Sequence, residues 1–269
     1  MGTKTIIPGS QSWSQPSGKD AETKSLIRIR GVKKAFGTNQ VLRGFNLDLF
    51  PNENVVIVGK SGSGKSVLIK CLVRLVEVDE GQVEVLGKSI PSLQQEELDQ
   101  IRADVGFLFQ GSALYDSMTV RENLQFPLRR HSQRMQGQDE DQLIKEALEN
   151  VGLAHAIDLM PAELSGGMKR RIALARTLIL QPKVILYDEP TSGLDPITAN
   201  EIIQLILKIQ RTFHTASLII THDMDCARVI SNRMVILQDG INYAEGTYNE
   251  LSASQDPKVK AFFKEVQNR

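Results

Sequence analysis

The feature that most limits how this chain can fold is a glycine-rich segment at residues 59–66, GKSGSGKS, here called the glycine loop. It fits the pattern GxxxxGK[ST], follows an apolar run at residues 55–58 and precedes residues 66–75, which have helical periodicity. Glycines let a backbone curl so that successive N–H groups point at phosphate oxygens, and the next helix adds a positive dipole end. The sequence therefore predicts a buried strand, a phosphate-binding loop and a helix in succession.

Two side chains of the glycine loop are expected to add phosphate and metal contacts. Lys65 is predicted to reach the β- and γ-phosphates of a nucleotide, and the Ser66 hydroxyl to ligate Mg²⁺. An accidental match in a Gly/Ser-rich turn is the alternative, and average residue frequencies give it a chance of roughly one in a hundred in such a chain. The residues predicted to bind nucleotide are Gly59, Lys60, Ser61, Gly62, Ser63, Gly64, Lys65 and Ser66.

The chain beyond the glycine loop contains further apolar strands and amphipathic helices in alternation. A second buried strand is predicted at residues 183–187, a helix at 196–213 and a third strand at 217–221. This alternation is typical of a parallel sheet covered by helices on both faces, so the predicted fold class is α/β. Residues 111–165 are mostly helical and interrupt the alternation. They are predicted to form an inserted helical lobe.

Composition divides the chain into three segments. Residues 1–24 mix Ser, Gly, Gln and Pro without a period, which predicts a flexible tail. Residues 25–250 are predicted to form the folded domain, and residues 251–269 a helical extension. Because the sequence has no run that approaches a membrane span and no apolar signal-peptide stretch, we expect the chain to remain in the cytoplasm.

Charge and cysteine content argue against two classes of protein. The 32 basic and 32 acidic residues give a formal net charge of zero, whereas a sequence-independent grip on nucleic acid depends on an excess of Lys and Arg. We therefore expect no nucleic-acid partner. Cys71 and Cys226 are too few for a disulfide framework and lack the spacing of a metal site, so they are predicted to be reduced core residues.

Two carboxylates follow the predicted strand at residues 183–187. Asp188 and Glu189 are thereby placed at the carboxyl edge of the sheet, where open α/β sheets bind ligands. Asp188 is expected to hold Mg²⁺ through water, and Glu189 to polarise the water that attacks the γ-phosphorus. An ordinary acidic turn before Pro190 is the alternative. Together with the glycine loop, the pair predicts nucleotide hydrolysis.

A second glycine-rich helix start lies at residues 164–168, LSGGM, here called the signature segment. Ser165 is well placed as the N-cap of the helix that follows, and such a helix start is another anion site. A simple helix cap is the alternative. Because it lies between the glycine loop and VILYDEP, the segment resembles the signature motif of the nucleotide-binding subunit of ABC transporters, which has Gln where this chain has Met168.

The resemblance to ABC transporter subunits covers about residues 26–245 and implies a fold, a reaction and a partner. The implied fold is a P-loop NTPase cassette with a mostly parallel core sheet, an antiparallel β subdomain and the inserted helical lobe. The implied reaction is hydrolysis of ATP in the presence of Mg²⁺. By this resemblance two copies pair head to tail around two ATP molecules, and their opening and closing drives a membrane permease.

The same resemblance implies roles for single residues outside the glycine loop. Phe36 matches the aromatic residue that stacks on adenine, although a lone Phe near a strand is usually core. Gln110 matches the glutamine that contacts Mg²⁺ and the attacking water. His222 matches the histidine that contacts the γ-phosphate, and a residue at a helix start beside the capping Asp223 is the alternative.

Contacts with the partner copy are implied for two segments. The signature segment matches the residues that contact the ATP held by the partner, and residues 192–195 match a loop that touches the opposite copy, here called the dimer loop. The residues concerned are Ser165, Gly166, Gly167, Ser192, Gly193, Leu194 and Asp195.

Longer stretches resemble one branch of the family, the ATPase subunit of Mla/Mce-type phospholipid transporters. They are FQGSALYDSMTVRENLQFPLRRH, LSGGM, DEPTSGLDPITA and DPKVKAFF. Such transporters combine a permease with lipid-binding Mce proteins in the bacterial envelope. The resemblance implies that residues 110–127 line the groove for the permease, and the apolar Ala113, Leu114, Tyr115 and Met118 suit a helix-in-groove contact.

Other functions remain open from the sequence. An importer of amino acids or another small solute shares the general pattern, and a soluble ABC ATPase acting on DNA or ribosomes is a more distant alternative. A basic cluster formed by Arg129, Arg130, His131 and Arg134 is either a contact for anionic lipid headgroups or a solvated helix end.

Overall fold

The computed structural model describes residues 24–267, with side chains described up to residue 263. The predicted flexible tail, apart from Lys24, lies outside the described residues. The described residues fall into two compact units, one formed by residues 24–94 and 220–267 and the other by residues 95–219.

Strands and helices alternate along the described residues. The strands are β1 (Ile27–Phe36), β2 (Asn39–Leu49), β3 (Asn54–Val58), β4 (Glu80–Val85), β5 (Lys88–Ser89), β6 (Val105–Leu108), β7 (Val184–Asp188), β8 (Ala216–Ile220), β9 (Arg233–Gln238) and β10 (Ile241–Gly246). The α-helices are α1 (Lys65–Cys71), α2 (Gln95–Asp104), α3 (Val120–Arg130), α4 (Glu140–Asn150), α5 (Gly166–Leu178), α6 (Pro196–Phe213), α7 (Met224–Ile230), α8 (Tyr248–Ser252) and α9 (Pro257–Gln267).

The first unit contains an antiparallel sheet of four strands in the order β2-β1-β4-β5. In its register Ile27 lies opposite Leu49 of β2 and Val85 of β4. Alternation of side chains along β1 buries Ile27 and Ile29 on the same face. The same unit contains β3, whose five residues are all buried, paired in parallel with β9, and β9 is antiparallel to β10.

The second unit combines parallel strands with a group of helices. β6 pairs in parallel with β7, with Val105 opposite Val184, and β8 is the other neighbour of β7. All residues of β7 and β8 are buried, as expected for strands covered on both faces. Helix α5 packs against α3, α4, α6 and β6. The predicted mixture of a parallel core and an antiparallel β subdomain is therefore confirmed.

Helix boundaries agree with the sequence prediction at α6 and differ at α1. Asp195 caps α6 by accepting hydrogen bonds from the N–H groups of Ile197 and Thr198, and Pro196 occupies its first position. The helix predicted at residues 66–75 ends instead at Cys71. Arg74 takes a left-handed conformation with φ of 50°, which an α-helix cannot continue through.

A buried ion-pair network stabilises the first unit. The Arg233 guanidinium donates to both carboxylate oxygens of Glu53 at 3.0 Å, pairs with Glu245 and donates to the Asp48 carbonyl. Burial lowers the pKa of Arg233, but the hydrogen bonds and charges of Glu53 and Glu245 outweigh burial and raise it. The network connects the start of β9 to β2, β10 and the residue before β3.

Arg233→Met is expected to lower the free energy of unfolding by about 3–5 kcal/mol, because it leaves two largely buried carboxylates without their cation. Urea denaturation of the full chain measures the loss. Arg228→Met is the matched control, since Arg228 forms an exposed ion pair with Asp225 at 3.9 Å and its removal should cost less than about 0.5 kcal/mol. Equal losses in both variants would contradict the assignment.

Candidate functional site

The glycine loop connects β3 to α1 and is closely packed at its glycines. Gly64 has φ of 100°, and a Cβ placed there would lie 2.6 Å from Val41 Cγ1. A Cβ on Gly59 would lie 2.6 Å from the Leu237 carbonyl oxygen and 2.7 Å from Ser63 Oγ. Because side chains at these positions would collide with β2 and β9, only glycine permits this curl of the backbone.

The polar groups of the glycine loop suit a phosphate chain. Lys65 is buried, and its Nζ donates to the carbonyls of Gly59 at 2.8 Å and Lys60 at 3.1 Å, so the ammonium lies within the loop. Ser63 Oγ is buried without a hydrogen-bond partner among the described residues. The first turn of α1 contains no acidic residue. A phosphate oxygen would supply the acceptor that the buried Ser63 hydroxyl lacks, so the loop fits a nucleotide phosphate.

Two further predicted residues lie in the first unit. Phe36 ends β1 and is 51% exposed, and Lys34 Nζ lies over its ring, 5.3 Å from the centroid. Phe36 is therefore a surface residue rather than a core residue. His222 is exposed and directly precedes Asp223, which caps α7 by accepting from the N–H groups of Asp225 and Cys226. Both alternatives for His222, a helix-start residue and a phosphate contact, are compatible with this position.

The predicted acidic pair lies at the end of β7 in the second unit. Asp188 and Glu189 are 4% and 9% exposed. Glu189 has φ of 52°, a left-handed conformation that non-glycine residues seldom adopt and that is often found at functional sites. Because β6 and β7 are neighbouring parallel strands, their carboxyl ends lie at the same edge of the sheet.

Gln110 lies just beyond β6, close to the dimer loop. Its Nε2 donates to Ser192 Oγ at 3.5 Å. Within the second unit, the structure therefore brings Gln110 together with Ser192, the first residue of the dimer loop. These two residues lie 82 positions apart, and no local pattern in the sequence indicates that they are neighbours.

The signature segment and the dimer loop also lie together in the second unit. Ser165 caps α5 by accepting from the Met168 N–H at 3.2 Å, which confirms the predicted cap. A Cβ on Gly167 would lie 2.6 Å from Thr198 Cγ2 of α6. A hydrogen bond from the Thr198 side chain lowers the pKa of Asp195. Close packing of α5 on α6 therefore requires glycine at position 167.

Gly167→Ala is expected to lower the free energy of unfolding by about 1–3 kcal/mol, because the new methyl group collides with Thr198. Gly166→Ala is the matched control: its Cβ would lie at an ordinary 3.7 Å from Leu194 Cδ2, so the loss should be smaller. The double variant with Thr198→Ser removes the colliding methyl group and should restore stability. Thermal unfolding of the three variants measures this, and no recovery in the double variant would contradict the packing argument.

The predicted Mg²⁺ ligands do not form a site of protein carboxylates alone. No group of three or more His, Cys, Asp or Glu side chains that could hold a metal occurs in residues 24–267. Ser66 of the first unit and Gln110 and Asp188 of the second each carry an oxygen, the donor type that Mg²⁺ binds in proteins. Their role as its ligands stays a prediction.

The apolar residues predicted for the permease groove lie at the surface of the second unit. Ala113 and Tyr115 are exposed, Leu114 and Met118 are partly exposed, and none of the four belongs to the core. The Tyr115 ring lies 4.9 Å from the exposed ring of Phe126. Exposed apolar side chains of this kind are found where proteins contact partners, and the permease groove stays a prediction.

The basic cluster at the end of α3 has acidic partners. Arg134 pairs with Asp104 at 2.7 Å, and Arg130 with Asp99 at 3.5 Å. Arg129 lies 4.0 Å from a carboxylate of α4. Because each arginine is already compensated, a solvated helix end explains the cluster better than a lipid headgroup site.

A cavity that the sequence does not predict lies beside the glycine loop. It has a volume of about 600 Å³ and is bordered by residues 60–63, residues 236–240 and α9. Helix α9 packs on its own chain, where Val259 and Phe263 are buried and the Phe263 ring meets Tyr248 edge to face at 5.4 Å. The helix lies within residues 251–269, the segment for which a helical extension is predicted. Nothing in the sequence pattern indicates which surface such a helix covers.

The remaining sequence predictions concern cysteines and membrane spans. Cys71 and Cys226 are both free and buried, as predicted. Burial raises the pKa of the Cys71 thiol to about 11. Among the described helices, none has the length and apolarity needed to cross a bilayer.

Comparison with known proteins assigns the family. A family model described as "ABC transporter" matches residues 42–192, which is more than half of the chain. The chain therefore belongs to the ABC transporter family and is an ATP-binding cassette that hydrolyses ATP to power transport. Its fold agrees with the dimeric structure of the cassette MJ0796 in a post-hydrolysis state bound to ADP and Pi, at a TM-score of 0.74 and 33% identity over 82% of this chain and 98% of that one.

Individual relatives carry different names. The methionine import ATP-binding protein MetN of Campylobacter jejuni is 36% identical over 89% of this chain and 76% of its own length. Protein TRIGALACTOSYLDIACYLGLYCEROL 3, chloroplastic, of Arabidopsis thaliana is 36% identical over 91% of this chain and 75% of its own length. The ABC transporter resemblance is confirmed, whereas the narrower Mla/Mce assignment is not.

Proposed function

We propose that two copies of this chain pair head to tail around two ATP molecules and power an integral-membrane permease. The observation that carries the proposal is the presence of two glycine-rich helix starts in one chain, at α1 and α5, neither with an acidic residue in its first turn. One phosphate chain needs only one such start, so the second is available to the ATP of the partner. The dimeric structures of the relative MJ0796 support this arrangement.

Roles in hydrolysis are assigned to residues of both units. Lys65 and the N–H groups of the glycine loop hold the β- and γ-phosphates, and Phe36 stacks on adenine. Ser66, Gln110 and Asp188 would hold Mg²⁺, which would neutralise phosphate charge.

The remaining steps belong to residues that act at the γ-phosphate. Glu189 polarises the attacking water, and His222 donates to the γ-phosphate. From the partner copy, the signature segment would cover the same phosphate. Because its proposed partner is a permease, the chain would be a peripheral protein on the inner face of the cell membrane, attached through that permease.

The cargo that the comparisons favour is an amino acid or another small solute, which the transporter would import. The relatives from Campylobacter jejuni, Clostridium tetani and Rhizobium johnstonii are all named methionine import ATP-binding proteins. Their names support the small-solute alternative better than phospholipid transport, which the sequence motifs favoured.

Phospholipid transport with an Mce-type protein remains a second candidate because two observations favour it. The exposed apolar surface at Tyr115 and Phe126 belongs to the stretch that resembles phospholipid transporters. The Arabidopsis relative, at 91% coverage of this chain, bears the name of a glycolipid.

Purification of the tagged full-length chain with its membrane partners distinguishes the two cargoes. The purified complex is reconstituted in vesicles, and ATP-dependent uptake of radiolabelled methionine is compared with transfer of a fluorescent phospholipid. Uptake of methionine without lipid transfer supports the first candidate, and the reverse supports the second. Failure to recover any permease, with ribosomes or DNA recovered instead, would overturn the transporter proposal.

A further inference from the structure

Arg170 is a buried arginine whose partners are not carboxylates. It lies in the second turn of α5 and is only 4% exposed. Burial lowers the pKa of its guanidinium, because a charged group loses its solvation. Its Nε has no hydrogen-bond partner in the part of the chain that the structure describes. Buried charge of this kind contributes little to stability, so a positional role is the better explanation.

The hydrogen bonds of Arg170 connect the two loops that the proposed function places in catalysis and dimer contact. Nη1 donates to the Phe109 carbonyl at 2.9 Å, and Nη2 donates to the Ser192 carbonyl at 3.3 Å. Phe109 directly precedes Gln110, whose side chain reaches Ser192 Oγ. These hydrogen bonds form a closed ring of contacts that joins α5, the Phe109–Gln110 segment and the dimer loop.

The guanidinium group is suited to this circuit. Its planar fork presents several N–H donors in fixed directions, so it holds two carbonyls at once, whereas a lysine ammonium is a single point on a flexible stem. A second arginine of α5, the half-buried Arg176, donates to the Ser112 carbonyl at 3.3 Å. Helix α5 is therefore hydrogen-bonded to the segment after β6 at two carbonyls, those of Phe109 and Ser112.

We propose that Arg170 is a positioning residue that couples the start of α5 to Gln110 and to the dimer loop. A shift of the signature segment is then transmitted to Gln110, the side chain to which the proposed function assigns contact with Mg²⁺ and the attacking water. The inference rests on the proposed function, because Gln110 and the dimer loop take their roles from it.

The test uses Arg170→Met in the full chain, since methionine fills a similar volume and replacement of a buried charge by an apolar residue is often neutral for stability. We expect kcat for ATP hydrolysis to fall about 10- to 100-fold, because a small misplacement of reacting groups has effects of this size. The Kd for ATP should stay within about twofold, since the glycine loop is untouched. Arg171→Gln is the matched control: Arg171 forms a surface ion pair with Glu201, and its loss should leave kcat unchanged.

Coupling through Gln110 is tested by a double-mutant cycle. If Arg170 acts through this side chain, Arg170→Met should cause little further loss of kcat when Gln110→Ala is already present. Independent, additive losses would overturn the proposed coupling and leave only a structural role.

A second variant, Arg170→Lys, keeps the proposal testable if Arg170→Met does not fold. Arg170→Lys retains one donor and should give an intermediate kcat with a native melting temperature. Either variant with folded protein and wild-type kcat overturns the inference. Absence of ATP hydrolysis in the unmodified chain would instead overturn the proposed function, so the two failures are distinguishable.

Discussion

Lys65→Ala is expected to weaken ATP binding strongly. The Lys65 ammonium is buried within the glycine loop, 2.8 Å from the Gly59 carbonyl, so it is the charge best placed to reach the phosphates. Removal of one partner of a buried charge pair costs about 2–5 kcal/mol, which weakens binding roughly 30- to 4,000-fold. Isothermal titration with ATP and Mg²⁺ measures the loss.

Lys70→Ala is the matched control for Lys65→Ala. Lys70 lies in the last turn of the same helix, α1, and has no assigned contact with nucleotide. Its removal should leave the Kd for ATP within about twofold of the unmodified chain. Binding of ATP by Lys65→Ala with unchanged Kd would show that the glycine loop does not hold the phosphates.

Glu189→Gln is expected to retain ATP binding and to lose steady-state hydrolysis. Glu189 is buried at the end of β7 in a left-handed conformation, and glutamine keeps its shape while it removes the basic carboxylate. Loss of a general base lowers a rate by about 10²- to 10⁴-fold. Phosphate release under saturating ATP measures kcat, and equilibrium titration measures binding.

Glu146→Gln provides the control for Glu189→Gln. Glu146 lies on the exposed face of α4, where it accepts a hydrogen bond from Gln142, so its replacement should leave kcat unchanged. Turnover by Glu189→Gln near that of the control would remove Glu189 from the role of general base.

Local patterns in the sequence were sufficient to predict the glycine loop and several elements around it. β3 is a short apolar run, and α6 carries both a capping Asp195 and a proline at its first position. Ser165 was identified as a cap for the same reason. Such features depend on residues within one or two turns of each other, and these are the interactions that sequence patterns record.

Long-range contacts could not be predicted in this way. Arg170 appears in the run KRRIALAR as one of three adjacent cations, yet it alone among them is buried, because it bonds to a carbonyl 61 positions away. Arg233 forms its ion pair with Glu53, which lies 180 positions away in the sequence. The end of α1 at Cys71 also escaped prediction, because the apolar pattern continues past the left-handed Arg74.

Whether two copies close around ATP is tested most directly by sedimentation velocity of Glu189→Gln with Mg²⁺, at one protein concentration, with and without ATP. We predict a monomer without nucleotide and a dimer with ATP, because ATP binds the paired state and stabilises it by mass action. Sedimentation as a monomer at ATP concentrations that saturate the glycine loop would contradict head-to-tail pairing, as would a dimer that is indifferent to ATP.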